Sequence, residues 1–259
     1  MDKTINAVGL MSGTSMDGVD ASLIRSDGYK IIDIIGDLYL KYDPELKSKL
    51  FKFSKKINSI EDLEKNYQEY QIIERELTLE HSKITYDLCK KYKIKPDILG
   101  FHGQTILHKP RKKYSIQMGN GKLLSQLLKV DVVFKFREND IKNGGEGAPL
   151  TPIYHHYLKE KLKLNKTILF LNIGGIANYT LTKKKSFFAK DIGPGNCLMD
   201  MYISKTMNKD FDEGGNLAST GKVDKILANN IIEHEIYNTK KNHSLDIKDF
   251  DINFVKGLQ

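Results

Sequence analysis

Gly9-Leu-Met-Ser-Gly-Thr-Ser-Met-Asp-Gly-Val-Asp20 is the stretch that decides the fold. An apolar run ends at Ser12. It breaks into Gly13, Thr14, Ser15, Met16, Asp17 and Gly18, then resumes from Val19 to Ile24. This spacing predicts two antiparallel strands joined by a turn of glycines, hydroxyls and one carboxylate. Such a turn can hold a phosphate, because glycine lets backbone N–H groups approach closely and hydroxyls add donors. Asp17 can hold Mg²⁺ directly or through water. The same residue types also build ordinary hairpin turns, so the rest of the chain has to decide between the two.

Working outward, residues 6–12, 19–26 and 30–40 read as three consecutive strands. A long helical region spans 44–92, with a fresh start at the Ser59–Asp62 capping signal. Leu63, Tyr67, Tyr70, Ile73, Leu77, Ile84 and Leu88 mark its apolar face. A short strand over 96–101 delivers His102, Gln104 and Thr105 to its end. Residues 115–118 and 131–134 are further strands around a helix at 123–128. Residues 135–152 read as loop, followed by a helix to about Lys163. A second meander follows over 167–173, 177–182 and 186–192. It breaks first at Gly174-Gly175 and ends in Gly193-Pro194-Gly195, echoing the plan of the first. Helices are expected at 197–207 and 223–235. The tail is polar to Asp251, then apolar at Ile252, Phe254, Val255 and Leu258.

The chain has 259 residues and a net charge of +8. Arginine contributes only Arg25, Arg75, Arg111 and Arg137, and the many lysines are scattered. That describes a solvated basic surface; a nucleic-acid groove more often concentrates arginine on one element. Cys89 and Cys197 form no metal pattern or disulfide framework, and no apolar run suffices for a membrane span. The expectation is a soluble cytoplasmic protein that binds neither nucleic acid nor membrane.

Two glycine-turn hairpins can grip a nucleotide triphosphate from two sides. Thr14 and Ser15 would serve one side, and Asn172, Gly174 and Gly175 the other. Asp17 and Asp191 are then candidates for Mg²⁺, and phosphoryl transfer needs mainly positioning and charge neutralisation. In Phe136–Pro149, Asp140 is the candidate general base, beside Gly144, Gly145 and Gly147 whose backbone can approach a substrate. Arg137 can steady a phosphate or carboxylate. His102, Gln104 and Thr105 suit the hydroxyls of a polyol. His155-His156 lacks a third ligand at metal spacing, so no zinc site is expected.

Six ordered segments, 9–20, 101–108 (FHGQTILH), 136–152, 171–181 (LNIGGIANYTL), 191–200 (DIGPGNCLMD) and 211–223 (FDEGGNLASTGKV), carry a resemblance over essentially the whole chain. Together they resemble the anhydro-N-acetylmuramic acid kinases of bacterial cell-wall recycling. The resemblance implies an α/β chain with the two-lobed fold of actin and hexokinase. Residues 1–134 would form one lobe with the first phosphate loop. Residues 135–259 would form an incomplete second lobe with the catalytic loop and the second phosphate loop. It implies ATP and Mg²⁺, with Gly13, Thr14, Ser15, Met16, Asp17, Gly18, Val19 and Asp20 as the ATP loop. It implies that 1,6-anhydro-N-acetylmuramic acid is phosphorylated and its anhydro bridge hydrolysed, Asp140 activating the water. His102, Gln104, Thr105, Arg137 and Gly145 would contact the sugar. Family members often dimerise, so a homodimer is an expectation. They also continue past the position of Gln259 with a glycine-rich adenosine-binding turn, flanking strands and a helix. A C-terminally truncated chain, with low or no activity alone or completed by a separately encoded piece, is therefore expected. The alternative is a remnant that binds the amino sugar without catalysis.

Overall fold

The computed structural model describes residues 4–30, 32–184, 186–233, 244–250 and 252. The chain divides into two compact units, Met1–Gly147 and Ala148–Gln259. The segment 135–147, grouped from sequence with the second lobe, thus belongs to the first unit. The fold is mixed α/β, as expected, and each unit contains an antiparallel three-stranded meander.

In the first unit, β1 (Ile5–Ser12), β2 (Gly18–Ser26) and β3 (Ile32–Lys41) form that meander. Then come α1 (Pro44–Lys56), α2 (Ile60–Lys65), α3 (Tyr67–Tyr92) and β4 (Ile98–Lys109). Asp43 caps α1 by accepting from Glu45 N–H at 2.8 Å, and Ser59 caps α2 by accepting from Asp62 N–H at 3.2 Å. The predicted apolar face of α3 is present at Ile73, Leu77, Ile84 and Leu88, all buried. Fully burying each contributes roughly 1.5–3 kcal/mol. Tyr67 departs from the expectation: it is 54% exposed, stacked on Tyr70. Thr78, His81 and Thr85 take places on the buried face, the two threonine hydroxyls and His81 Nδ1 bonded to carbonyls one turn back.

The sheet order is β3-β2-β1-β4-β5, with β6 also pairing β4. Here β5 is Tyr114–Met118 and β6 is Asp131–Phe134, with α4 (Gly121–Leu128) between them. The strand expected over 96–101 does not stop before His102. As β4 it runs to Lys109, pairing β1 and β6 in parallel over its first half and β5 antiparallel over its second. The sequence hid this because Gly103 reads as a break. Gly103 in fact sits at φ +70° where a Cβ would strike the Met118 carbonyl, so glycine permits the irregular crossing.

The second unit contains α6 (Pro152–Lys161), β7 (Ile168–Ile173), β8 (Ile176–Thr182), β9 (Phe187–Pro194), α7 (Cys197–Met207) and α8 (Lys225–Glu233); α5 (Phe136–Lys142) precedes it in the first unit. Its sheet order is β7-β8-β9. One face carries α6, where His155 stacks on Phe170 at 4.8 Å and bonds Thr180 at 2.8 Å. The end of the helix expected to Glu235, and most of the apolar tail, lie outside the described residues.

Candidate active site

The Gly13–Gly18 turn is tied down at both ends while its tip stays open. Met16 N–H donates to Gly13 O at 3.2 Å, and Met16 takes φ 54° with its side chain buried. Thr14 and Ser15 are exposed, and their backbone N–H groups meet no protein acceptor among the described residues. Ser15 hydroxyl donates to Asp17 Oδ1 at 2.6 Å. Gly18 is required by packing: a Cβ there would stand 2.5 Å from both Leu40 O and Tyr39 Oη. Val19 is buried beneath the turn.

Asp17 lies in this turn and Asp20 just beyond it, with Asp37 farther along the neighbouring strand β3. Partial burial, then the charges of Asp17 and Asp37, raise the Asp20 pKa above the usual carboxylate range. A divalent cation relieves such repulsion, and hard oxygen donors suit Mg²⁺, which binds through one or two carboxylates plus phosphate and water. Asp17 and Asp20 fit that donor set. Among the described residues no cluster of three or more His, Cys, Asp or Glu forms a closed protein cage. Asp191, the second candidate, lies in the other unit. Its Oδ2 accepts from Leu245 N–H at 2.8 Å and Ser244 hydroxyl at 3.2 Å, so it is already engaged by a segment distant in sequence.

Asp140 lies on α5, in the segment the sequence suggested was loop. The helix ends in a Schellman cap: Gly144 N–H donates to Ile141 O at 3.1 Å and Gly145 N–H to Asp140 O at 2.9 Å, with Gly144 at φ +90°. The chain then turns back so that Gly147 N–H donates to Asp140 Oδ2 at 2.7 Å. Gly145 presses against the same carboxylate: a Cβ there would stand 2.5 Å from its Cγ. The glycines therefore stop the helix and wrap backbone around the acid.

Arg137, three residues earlier and on the same helical face, donates from Nε to His102 Nε2 at 3.0 Å. His102 Nδ1 then carries the proton and donates to Gly103 O at 2.8 Å. Burial, with the adjacent Arg137 cation, lowers the His102 pKa to about 4, consistent with a neutral ring. The structure thus brings His102, Arg137, Asp140 and Gly145 into one constellation. It commits both nitrogens of His102 to protein partners. Gln104 is fully buried, its Oε1 accepting from Ser12 hydroxyl at 2.6 Å. Thr105 Oγ1 is buried and without a partner among the described residues.

In the second unit, the turn at Gly174-Gly175 meets the start of α7. Asn196 N–H donates to Gly174 O at 2.7 Å and Gly195 N–H to Gly175 O at 2.9 Å. Gly195 has no room for a Cβ against the Gly174 carbonyl. Asn172 lies on exposed β7, its amide near Gly174. The sequence reading passed over Ser12 and Tyr42, which fix the first turn. Neither carries a motif signal, since a serine ending a strand and a tyrosine ahead of a helix are common. Asp212 was passed over too. It accepts from Leu217 and Ala218 N–H groups, both at 2.9 Å, which lowers its pKa.

Residues 5–258 match the anhydro-N-acetylmuramic acid kinase family. A protein of that name from Pelagibacter ubique (strain HTCC1062) is 49% identical over 263 residues, covering 100% of this chain and 70% of its own length. Proteins of the same name from Rhizobium etli and Brucella canis are 37% and 36% identical, covering 96% and 95% of this chain and 69% and 68% of theirs. The class is that of the kinases, transferases of a phosphoryl group. Within it, the chain belongs to the anhydro-N-acetylmuramic acid kinase family. No helix among the described residues is long and apolar enough to cross a membrane.

Proposed function

We propose that this chain uses ATP to phosphorylate 1,6-anhydro-N-acetylmuramic acid while its anhydro ring is opened by water, giving N-acetylmuramic acid 6-phosphate in the cytoplasm. The observation that carries this reading is the Asp140 carboxylate, held at one oxygen by Gly147 N–H and lying beside Arg137. A carboxylate fixed in this way can act as a general base. In the proposed reaction Asp140 takes a proton from water and the water oxygen bonds to the anomeric carbon. The bond from that carbon to O6 breaks, and O6 takes the γ-phosphoryl group as ADP leaves. The open Gly13–Gly18 turn would hold phosphates; Asn172, Gly174 and Gly175 stand as separate phosphate-binding candidates within the second unit. Mg²⁺ at Asp17, with Asp20 beside it, would neutralise charge on the phosphates; Asp191 stands as a weaker candidate. His102 orients Arg137, and Arg137 with the Gly144–Gly147 backbone contacts the sugar. Gln104 acts through the first turn, and a Thr105 contact would require β4 to loosen at that point.

The test is a coupled ADP-release assay on the purified chain with Mg²⁺-ATP and the anhydro-sugar. Sugar-dependent turnover, with the 6-phosphate as product, supports the reading. A folded sample that binds sugar but releases no ADP favours the non-catalytic alternative.

One observation favours a second reading, in which activity needs further polypeptide. Aligning the meanders on their glycine turns matches Val8 and Leu10 of β1 with Leu169 and Leu171 of β7. The first pair is 1% and 3% exposed; the second is 55% and 54% exposed. In the first unit α3 contributes to the core that covers this strand, and β4 pairs with β1. Among the described residues β7 has no strand on its outer edge. A segment equivalent to the part of the relatives beyond the match, or a second copy in a homodimer, would cover that face. Adding the C-terminal part of the Pelagibacter relative and regaining turnover is the test that separates this reading from the first.

A further inference from the structure

The Ser12 hydroxyl is a buried junction. It is surrounded by three polar groups: Tyr42 Oη at 2.9 Å, Gln104 Oε1 at 2.6 Å and Gly18 O at 3.1 Å. Two of these can only accept, and Ser12 has one proton. Tyr42 must therefore be the donor into Ser12 Oγ. Burial raises the Tyr42 pKa above its ordinary value, so the phenol keeps that proton. Tyr42 also donates its backbone N–H to Asp17 O at 2.9 Å. One residue thus grips the turn at both sides, through Ser12 just before it and Asp17 near its close. On the other side of the junction, Gln104 belongs to β4, two residues from His102 and its bond to Arg137.

We propose that Tyr42, acting through Ser12, is a positioning residue. It sets the Gly13–Gly18 turn in its anion-receiving form and, through Gln104, holds that turn in register with the strand that orients Arg137. This rests on the reading of the turn as a phosphate site. Tyr42 touches no reacting atom, and its hydroxyl does not face solvent, so a packing role alone would leave the open tip of the turn unchanged when the hydroxyl is removed. The aromatic ring supplies the packing, and the hydroxyl supplies the geometry.

The test uses the whole chain, labelled with ¹⁵N, with magnesium-ADP as probe. In the wild type, the amides of Thr14 and Ser15 shift on titration. Tyr42→Phe keeps the ring, so it moves those amides in the free protein. It also weakens magnesium-ADP about three- to tenfold, the effect of one neutral hydrogen bond. Ser12→Ala reproduces the change, and combining the two adds little more, since both break one junction. It also serves if Tyr42→Phe does not fold. Unchanged turn amides and unchanged affinity in the folded variants would overturn the role of Tyr42 while leaving the phosphate reading in place. A wild-type turn that does not respond to magnesium-ADP would overturn that reading, and this inference with it.

Discussion

Gly145→Ala is a one-methyl change aimed at the candidate base. The backbone of Gly145 lies outside the left-handed region, so alanine meets no conformational barrier there. What it meets is Asp140: the methyl would stand 2.5 Å from Cγ and 2.6 Å from Oδ1, and closer to Oδ2. Ordinary contact begins near 3.4 Å, so the carboxylate has to retreat by about 1 Å. It is the end of a short side chain on a helix, and moving it is easier than moving the Schellman cap behind it. The retreat breaks or stretches the 2.7 Å bond from Gly147 N–H. A bond to a charged acceptor is worth about 1.5–3 kcal/mol, while a 1 Å error at a reacting group costs on the order of a hundredfold in rate. The expected result is a folded protein, destabilised by no more than about 3 kcal/mol, with kcat down roughly a hundredfold and nucleotide affinity unchanged. The assay is sugar-dependent ADP release, in the chain alone or with the relative's C-terminal segment supplied, alongside the Gly147 amide shift. A folded Gly145→Ala protein whose Gly147 amide moves but whose kcat matches wild type would remove Asp140 from the base role.

Asp140→Asn keeps the shape and removes the base, so turnover should fall by about 10²–10⁴-fold with magnesium-ADP affinity intact; full activity by ADP release would contradict the assignment. His102 and His81 both have pKa values lowered to about 4, chiefly by burial. The unfolded chain therefore binds more protons than the folded one between about pH 6.5 and 4. Their contribution is complete above pH 6.5 and is lost as pH falls through that window, by up to about 3 kcal/mol for each histidine. Arg137→Ala removes the neighbouring cation, raises the His102 pKa and shrinks that loss; denaturant melts at pH 7, 5.5 and 4.5 would show it, and an identical pH profile would refute it. Leu171→Lys should change the stability of the chain alone by no more than about 0.5 kcal/mol, because the side chain is 54% exposed. It should also abolish capture of the relative's C-terminal segment in a pull-down. A large loss of stability in the chain alone would mean that β7 is already covered.

What could be read from sequence was whatever local chemistry dictates. The meanders, the turn at 13–18, the capping serine at Ser59 and the spacing of α3 each follow from short-range pattern, and they appear within a residue or two. Three things were not legible, two of them because the deciding partner lies far off in sequence. Gly103 looks like a strand end, but β4 continues because β5 waits beyond it, fourteen positions away from Gln104 at Met118. Asp140 looks like a loop residue because glycines follow it closely, yet the Schellman cap lets a helix run right up to them. Gln104 and His102 look like side chains offered to a ligand, because polar residues at a strand end usually are. Their partners, Ser12 and Arg137, lie far off in sequence and take up the hydrogen-bonding atoms a ligand would need. Motif reading finds where the polar groups are; the tertiary hydrogen bonds decide which still have an atom to give. By that criterion the groups best placed to meet a substrate are the backbone of Thr14 and Ser15 and the Asp140 carboxylate. Of these, only the carboxylate stands out in composition as a reactive group, so a variant series limited to conspicuous side chains would test the supports of this site more than its contacts.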